Sequence, residues 1–222
     1  MNQKRQQTNN NSHPIHELSE IISPLRMGTY LQATGQDADR ALALYLWNAK
    51  VSEAFHLPIQ AYEVGLRNRV SDGLSTIYGT SWWSDPRFLK EAGRKREADI
   101  KVVLDRLASK QVPLGTGQVI AGLSFGFWVA MLHRRHHINV WSSELRIAFP
   151  HLPHKVDHKQ LHKRSIEIAD FRNRISHHEP IFKRNLLSDY GKCMEALSWI
   201  CPTKAAWIKP HCRVAAMMRE KP

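Results

Sequence analysis

Cysteine is scarce in this chain and badly placed for a disulfide framework. There are three, Cys193, Cys201 and Cys212, all within the last thirty residues. An odd number with no apolar leader predicts free thiols in a reducing, cytoplasmic setting. Cys201 and Cys212 stand eleven apart with His211 beside the second, which is not a zinc spacing. Long apolar runs are also missing. The longest, Val119 to Leu132, covers about fourteen residues, against the roughly twenty that a membrane span needs. It reads as a buried core helix, and no membrane partner is expected. Acid is short as well: 20 Asp and Glu face 32 Lys and Arg, a net charge of +12. That excess favours polyanionic partners, nucleic acid before an anionic membrane surface, over the plain alternative of a basic surface kept for solubility.

What is present is apolar residues at helical intervals. They make up 42 % of the chain, enough for a substantial core. The first fourteen residues, MNQKRQQTNNNSHP, are polar and Asn/Gln-rich and are expected to be a disordered tail. Residues 15–222 read as one helical domain. Asp37 is placed to cap a helix carrying Ala41, Leu42, Leu44, Tyr45 and Trp47. A second pattern runs from Phe55 to Tyr78 and stops at Gly79, and Pro58 within it requires a restart or a kink. Trp82-Trp83 falls in a loop. One charged helix is expected over 87–107, one apolar helix over 118–133 and a short helix over 141–149. Leu161, Ile168, Phe171 and Ile175 place a stripe on a helix over 157–176, ended by Pro180, because a residue before proline leaves the α region. Helices over 187–200 and 203–218 complete an all-α fold.

The segment Arg172-Asn173-Arg174-Ile175-Ser176-His177-His178 carries the most chemistry. An arginine fork can hold a phosphate, a histidine can exchange a proton at neutral pH, and an amide can orient either. Those parts suffice to cleave RNA without a metal: a base takes the 2′-hydroxyl proton, and positive charge stabilises the attacked phosphate. Arg172 and His177 are five positions apart, about 140° around an ideal helix. Convergence therefore requires the helix to end near Ser176, or two subunits to contribute. The competing reading is a helix-end cluster of solvated charges.

FRNRISHHEPIF resembles the signature of the Abi-like, abortive-infection family within the HEPN superfamily, an Arg, a polar residue and a His at short spacing. Here it maps to Arg172, Asn173 and His177, with His178 an adjacent alternative. Tyr45-Leu46-Trp47-Asn48, Glu63-x-x-Leu66-Arg67-Asn68, Tyr78-Gly79 with Trp82-Trp83, Leu123-Ser124-Phe125-Gly126-Phe127-Trp128, Trp141 and Phe149-Pro150 follow in the family's order, across about residues 20–185. The resemblance implies a HEPN-like helical bundle with additional helices, a homodimer sharing one cleft, and metal-independent endoribonuclease activity in a bacterial toxin or antiphage defence system. It implies His177 as the acid/base group, Arg172 on phosphate, Asn173 positioning, and support from Glu179, Glu63, Arg67 and Asn68. The last thirty-odd residues lie outside it.

No cofactor is expected. RNA is the expected ligand, with an antitoxin or regulatory protein as a possible further partner. The alternatives are a non-catalytic RNA-binding or interaction module, and a toxin held silent by a partner. Other features carry plainer readings. Glu63 and Arg67, at i and i+4, can stabilise their own helix. The 124–128 segment reads as core, with Gly126 allowing close helix approach. Arg134, Arg135 and Arg174 are weaker RNA contacts, and His133 to His137 read equally as a solvated helix end. His154, His158 and His162 repeat every four residues, but nothing completes a metal set. Leu66-Arg67-Asn68-Arg69-Val70 echoes Phe171 to Ile175, too briefly for a duplication.

Overall fold

The computed structural model describes residues 14–136 and 141–222; the tail expected at the N-terminus and His137 lie outside them. The described residues are all helix and connection, with no strand among them. Helices α1 (Pro14–Ile22) and α2 (Pro24–Ala33) form a hairpin on α3 (Ala38–Ala54), whose start Asp37 caps by accepting from Arg40 N at 3.0 Å. The 23-residue α4 (His56–Tyr78) begins one residue after α3 ends. Pro58 thus sits in its first turn, where a missing N–H is harmless, so the chain restarts rather than kinks.

Three expected single helices are divided. The charged segment forms α5 (Pro86–Ala92) and α6 (Arg94–Ser109), because Gly93 adopts φ +79° and turns the chain. The apolar run forms α7 (Thr116–Gly122) and α8 (Phe125–Met131), with Ser124 capping the second by accepting from Phe127 N at 3.2 Å. The last segment forms α12 (Pro202–Ile208), a 3₁₀ turn over Lys209–His211 around Pro210, and α13 (Val214–Arg219). Between them stand α9 (Ser142–Ala148), α10 (His158–Ser176) and α11 (Leu186–Ile200). Trp82 and Trp83 lie in a buried 3₁₀ turn rather than an open loop.

Helix α4 is the axis of the bundle and packs along α11, α9 and α8. Two of its glycines make this possible: a Cβ at Gly65 would stand 3.1 Å from Ile200, and one at Gly73 3.0 Å from the Trp141 ring. The core is aromatic, and Trp82 meets Phe88 edge-on at 5.0 Å and Trp128 at 5.9 Å. Two buried indoles are paired, Trp141 donating to Met131 O and Trp47 to Met217 O, each at 2.7 Å, whereas the buried Trp128 N–H has no partner among the described residues. The three cysteines are free thiols with structural surroundings: burial pushes Cys193 up to about 12, and Cys201 caps α12 by accepting from Lys204 N at 3.4 Å.

Helix α10 carries the candidate motif. Asp157 and Gln160 form a reciprocal capping box at its start, each bond 2.8 Å. Leu161, Ile168 and Phe171 are buried, as the stripe predicts. The Tyr62 and Ser165 hydroxyls meet at 2.7 Å, and Phe171 meets the Phe55 ring edge-on at 4.8 Å, so α10 is fixed against α4 and the end of α3.

Beyond α10, the buried Asn48 side chain accepts from the backbone N–H groups of Ile181 at 2.8 Å and Phe182 at 3.2 Å. Replacing Asn48 with Ala orphans two buried donors. It should lower unfolding free energy by about 3 kcal/mol in denaturant titration; a loss under about 1 kcal/mol would show that water takes over both bonds.

Candidate functional site

Helix α10 ends at Ser176, as the sequence reading places it, and a backbone cap completes the stop ahead of Pro180. His178 N donates to Ile175 O at 3.0 Å and Glu179 N to Arg174 O at 2.9 Å, the paired bonds of a Schellman cap. The left-handed residue that this cap requires, most often glycine, is His178 itself at φ +55°. Histidine tolerates that region better than most residues, yet at a cost. The Arg26 guanidinium holds the His178 carbonyl at 2.7 Å, tying the cap to α2.

This cap turns the motif outward. His177 and His178 are both exposed, and among the described residues His177 makes no side-chain hydrogen bond. Two adjoining clefts run past the helix end and share His56, Ile175 and Ser176. The larger, about 570 Å³, is lined by His178, Arg26, Tyr30, Tyr45 and Asn48 among others. The smaller, about 300 Å³, holds Arg172, Arg67, Glu63 and Gln60. Together they make a groove along the helix end, with Arg67 and Arg172 in the smaller cleft, Arg26 and His178 in the larger and His56 in both. Burial and the neighbouring Tyr45 raise the Tyr30 hydroxyl to about 12, so it stays protonated at neutral pH.

The remaining residues of interest are distributed around this groove. Glu63 Oε2 lies 3.6 Å from Arg172 Nε, so this carboxylate steadies the arginine of the motif. Arg67 Nε approaches Asn68 Oδ1 at 3.4 Å, and Asn68 is exposed without lining either cleft. Glu179 faces Arg174 at 3.8 Å rather than a histidine. Asn173 lines a different cavity, and Arg134 a third, of about 320 Å³, with Trp141 and Lys159. In one chain, therefore, Arg172 and His178 line adjoining clefts, one each, whereas Asn173 and His177 line neither. His56 escaped the sequence reading because nothing marks it locally; only the α3–α4 junction carries it there. The echo between the two Arg-Asn-Arg segments acquires a physical sense, because Arg67 and Arg172 line one cleft.

Two plainer expectations are corrected. His136 is not on a solvated helix end but 5 % exposed. Gly126 admits no close helix approach: a Cβ there would meet only Ser124 Oγ, at 3.8 Å. Of the three spaced histidines, His154 precedes α10, while His158 and His162 lie on it, and His162 packs edge-on against His133 at 5.5 Å. Among the described residues no cluster of three or more His, Cys, Asp or Glu is arranged to hold a metal. No helix among them is long and apolar enough to cross a membrane.

Fold and site thus define an all-α helical bundle with a basic, histidine-bearing groove at the end of one amphipathic helix. No family model, curated protein or solved structure matches the chain.

Two predictions follow from these backbone and burial states. Glycine in place of His178 removes left-handed strain, so His178→Gly should raise unfolding free energy by about 0.5–1 kcal/mol; destabilisation instead would mean that the imidazole itself holds the cap. Burial, with Arg135 and His133 alongside, lowers His136 from near 6.5 to about 4. The unfolded chain therefore takes up this proton first as pH falls. The His136 contribution is complete above about pH 6.5, declines between 6.5 and 4, and is flat below. Denaturant titrations at pH 7 and pH 4 should show wild type losing on the order of 2 kcal/mol more than His136→Gln over that interval; parallel losses would put His136 in solvent.

Proposed function

We propose that this protein is a metal-independent endoribonuclease of a toxin or defence type, with the groove at the end of α10 binding the scissile phosphate. What supports the reading is one juxtaposition: three arginines, Arg26, Arg67 and Arg172, and two histidines, His56 and His178, line two adjoining clefts on a chain of net charge +12. Arginine neutralises phosphate without needing to change protonation, and imidazole exchanges protons near pH 7. The resemblance of the 171–182 segment to Abi-like HEPN proteins points the same way.

The chemistry is balanced as follows. An imidazole accepts the 2′-hydroxyl proton as that oxygen attacks the adjacent phosphorus. The arginines stabilise the charge accumulating on the phosphoryl oxygens. A protonated imidazole donates to the departing 5′-oxygen as its bond to phosphorus breaks, leaving a 2′,3′-cyclic phosphate and a 5′-hydroxyl. His177 is the proton-transfer group that the motif favours, and His178 is the one the groove favours. A homodimer apposing two α10 ends would bring His177 and Asn173 of one copy toward the cleft of the other. The second reading, an RNA-binding module without turnover, draws on the same arginines and on the separation of Arg172 from His177 within one chain.

Wild type, His177→Ala and His178→Ala should be incubated with mixed RNA in EDTA and the product ends analysed. Wild type should leave cyclic-phosphate ends, and at least one variant should be slower by a factor on the order of 10²–10⁴ with its helical circular dichroism unchanged. Salt-sensitive RNA binding with no cleavage by any of the three would favour the binding module.

A further inference from the structure

A second cavity, of about 500 Å³, opens on another flank of α10 from Arg172, between α6, α8 and α10, and the nuclease reading assigns it only Asn173 and, as a weaker RNA contact, Arg135. Its size is that of a small-molecule site. The walls fall into two chemically distinct parts. The floor is apolar, built from Gly126, Val129 and Ala130 of α8 and Ile166 and Ala169 of α10. Nothing in the fold requires glycine at 126: it has no positive φ, and a Cβ would meet only Ser124 Oγ at 3.8 Å. Its missing side chain leaves the floor clear.

The rim is cationic. Lys95, Arg96 and Arg135 stand against one carboxylate, Asp170. Arg96 is already engaged, 3.0 Å from Asp99, while the Arg135 guanidinium donates to the Glu91 carbonyl, at 3.3 Å. Lys95 is exposed and has no ion pair among the described residues. Three imidazoles, His133, His136 and His162, complete the wall. Burial holds the latter two below the ordinary histidine range, so near pH 7 they are neutral groups able both to donate and to accept. An apolar shelf flanked by cationic side chains and neutral imidazoles suits a ligand with a planar heterocycle at one end and a phosphate at the other. Inorganic phosphate would leave the shelf unused, and an apolar ligand would leave the cations unpaired.

We infer that this cavity binds a nucleoside phosphate, the base lying on the Gly126–Ala130–Ala169 floor and the phosphate between Lys95 and Arg135. The ligand chemistry is the same for a free mononucleotide and for one nucleotide of an RNA strand passing over α10. The inference stands on the cavity and does not require that the chain cleave RNA.

Calorimetric titration with adenosine 5′-monophosphate, inorganic phosphate and a 2′-O-methylated decaribonucleotide tests it, in wild type, Gly126→Leu, Lys95→Ala and His177→Ala. The monophosphate or the decamer should bind wild type and His177→Ala alike, and inorganic phosphate at least about tenfold more weakly. Gly126→Leu, which fills the floor, and Lys95→Ala, a surface change that leaves the fold intact, should each weaken that binding about tenfold or more. Saturable, Gly126-dependent binding of the monophosphate identifies a free nucleotide; Gly126-dependent binding of the decamer alone identifies a strand. The inference is overturned if both variants bind like wild type, or if inorganic phosphate binds as well as the nucleotide. Loss of cleavage in His177→Ala with nucleotide binding retained separates this cavity from the proposed catalytic groove.

Discussion

The buried carboxamide of Asn48 governs the geometry on which the candidate site depends. Its oxygen accepts from two successive backbone amides, Ile181 and Phe182, and so fixes the path of the chain beyond α10. With that path fixed, the residues between Ser176 and Pro180 must reverse direction in a single cap, and the turn falls on His178 in the left-handed region. Arg26 closes the arrangement from the other side by holding the His178 carbonyl. A loose segment here would let the two histidines sample many positions; anchored at both ends, they project from one place. The cost is real, a strained non-glycine backbone and a buried polar side chain, and it is offset by full hydrogen bonding of the groups concerned.

Helix α10 is also the partition between the two clefts. Its buried stripe faces α8 and α11, leaving residues on either flank to border different spaces. Arg172 looks toward α4, where Glu63 steadies it, and Asn173 borders the histidine-lined cavity against α8. Neighbouring residues on a helix stand about 100° apart, so this division follows directly from helix geometry. The basic excess of the chain is correspondingly spread over more than one surface: Arg67 with Arg172 on one flank, Lys95 with Arg135 on the other.

Much of the fold was legible in the sequence. Asp37 and Asp157 announce their helices by capping chemistry, and the Leu161–Ile168–Phe171 stripe marks the buried face of α10. The aromatic segment around Phe127 and Trp128 reads correctly as core. The misreadings share one cause. Gly93, the Leu123-Ser124 step and Pro210 each divide a segment that local periodicity runs together, because apolar spacing on either side of a break can remain in phase. Pro180 was the obvious stop for α10, yet the cap at His178 acts first.

By itself the sequence determined the all-α class, the helix that bears the motif, its inward face and the positive charge of the whole, because these depend on periodicity, capping and composition, which are local or additive. Only the tertiary structure decided which side chains share a space. His56 comes from the α3–α4 junction, Arg67 from α4 and His178 from a cap on α10, the last more than a hundred residues of chain from the other two and brought to them by the packing of α10 against α4. The same packing parts Arg172 from Asn173 despite their adjacency in sequence. Spacing along a chain fixes angles within one helix; proximity between helices is set by the core that both of them bury.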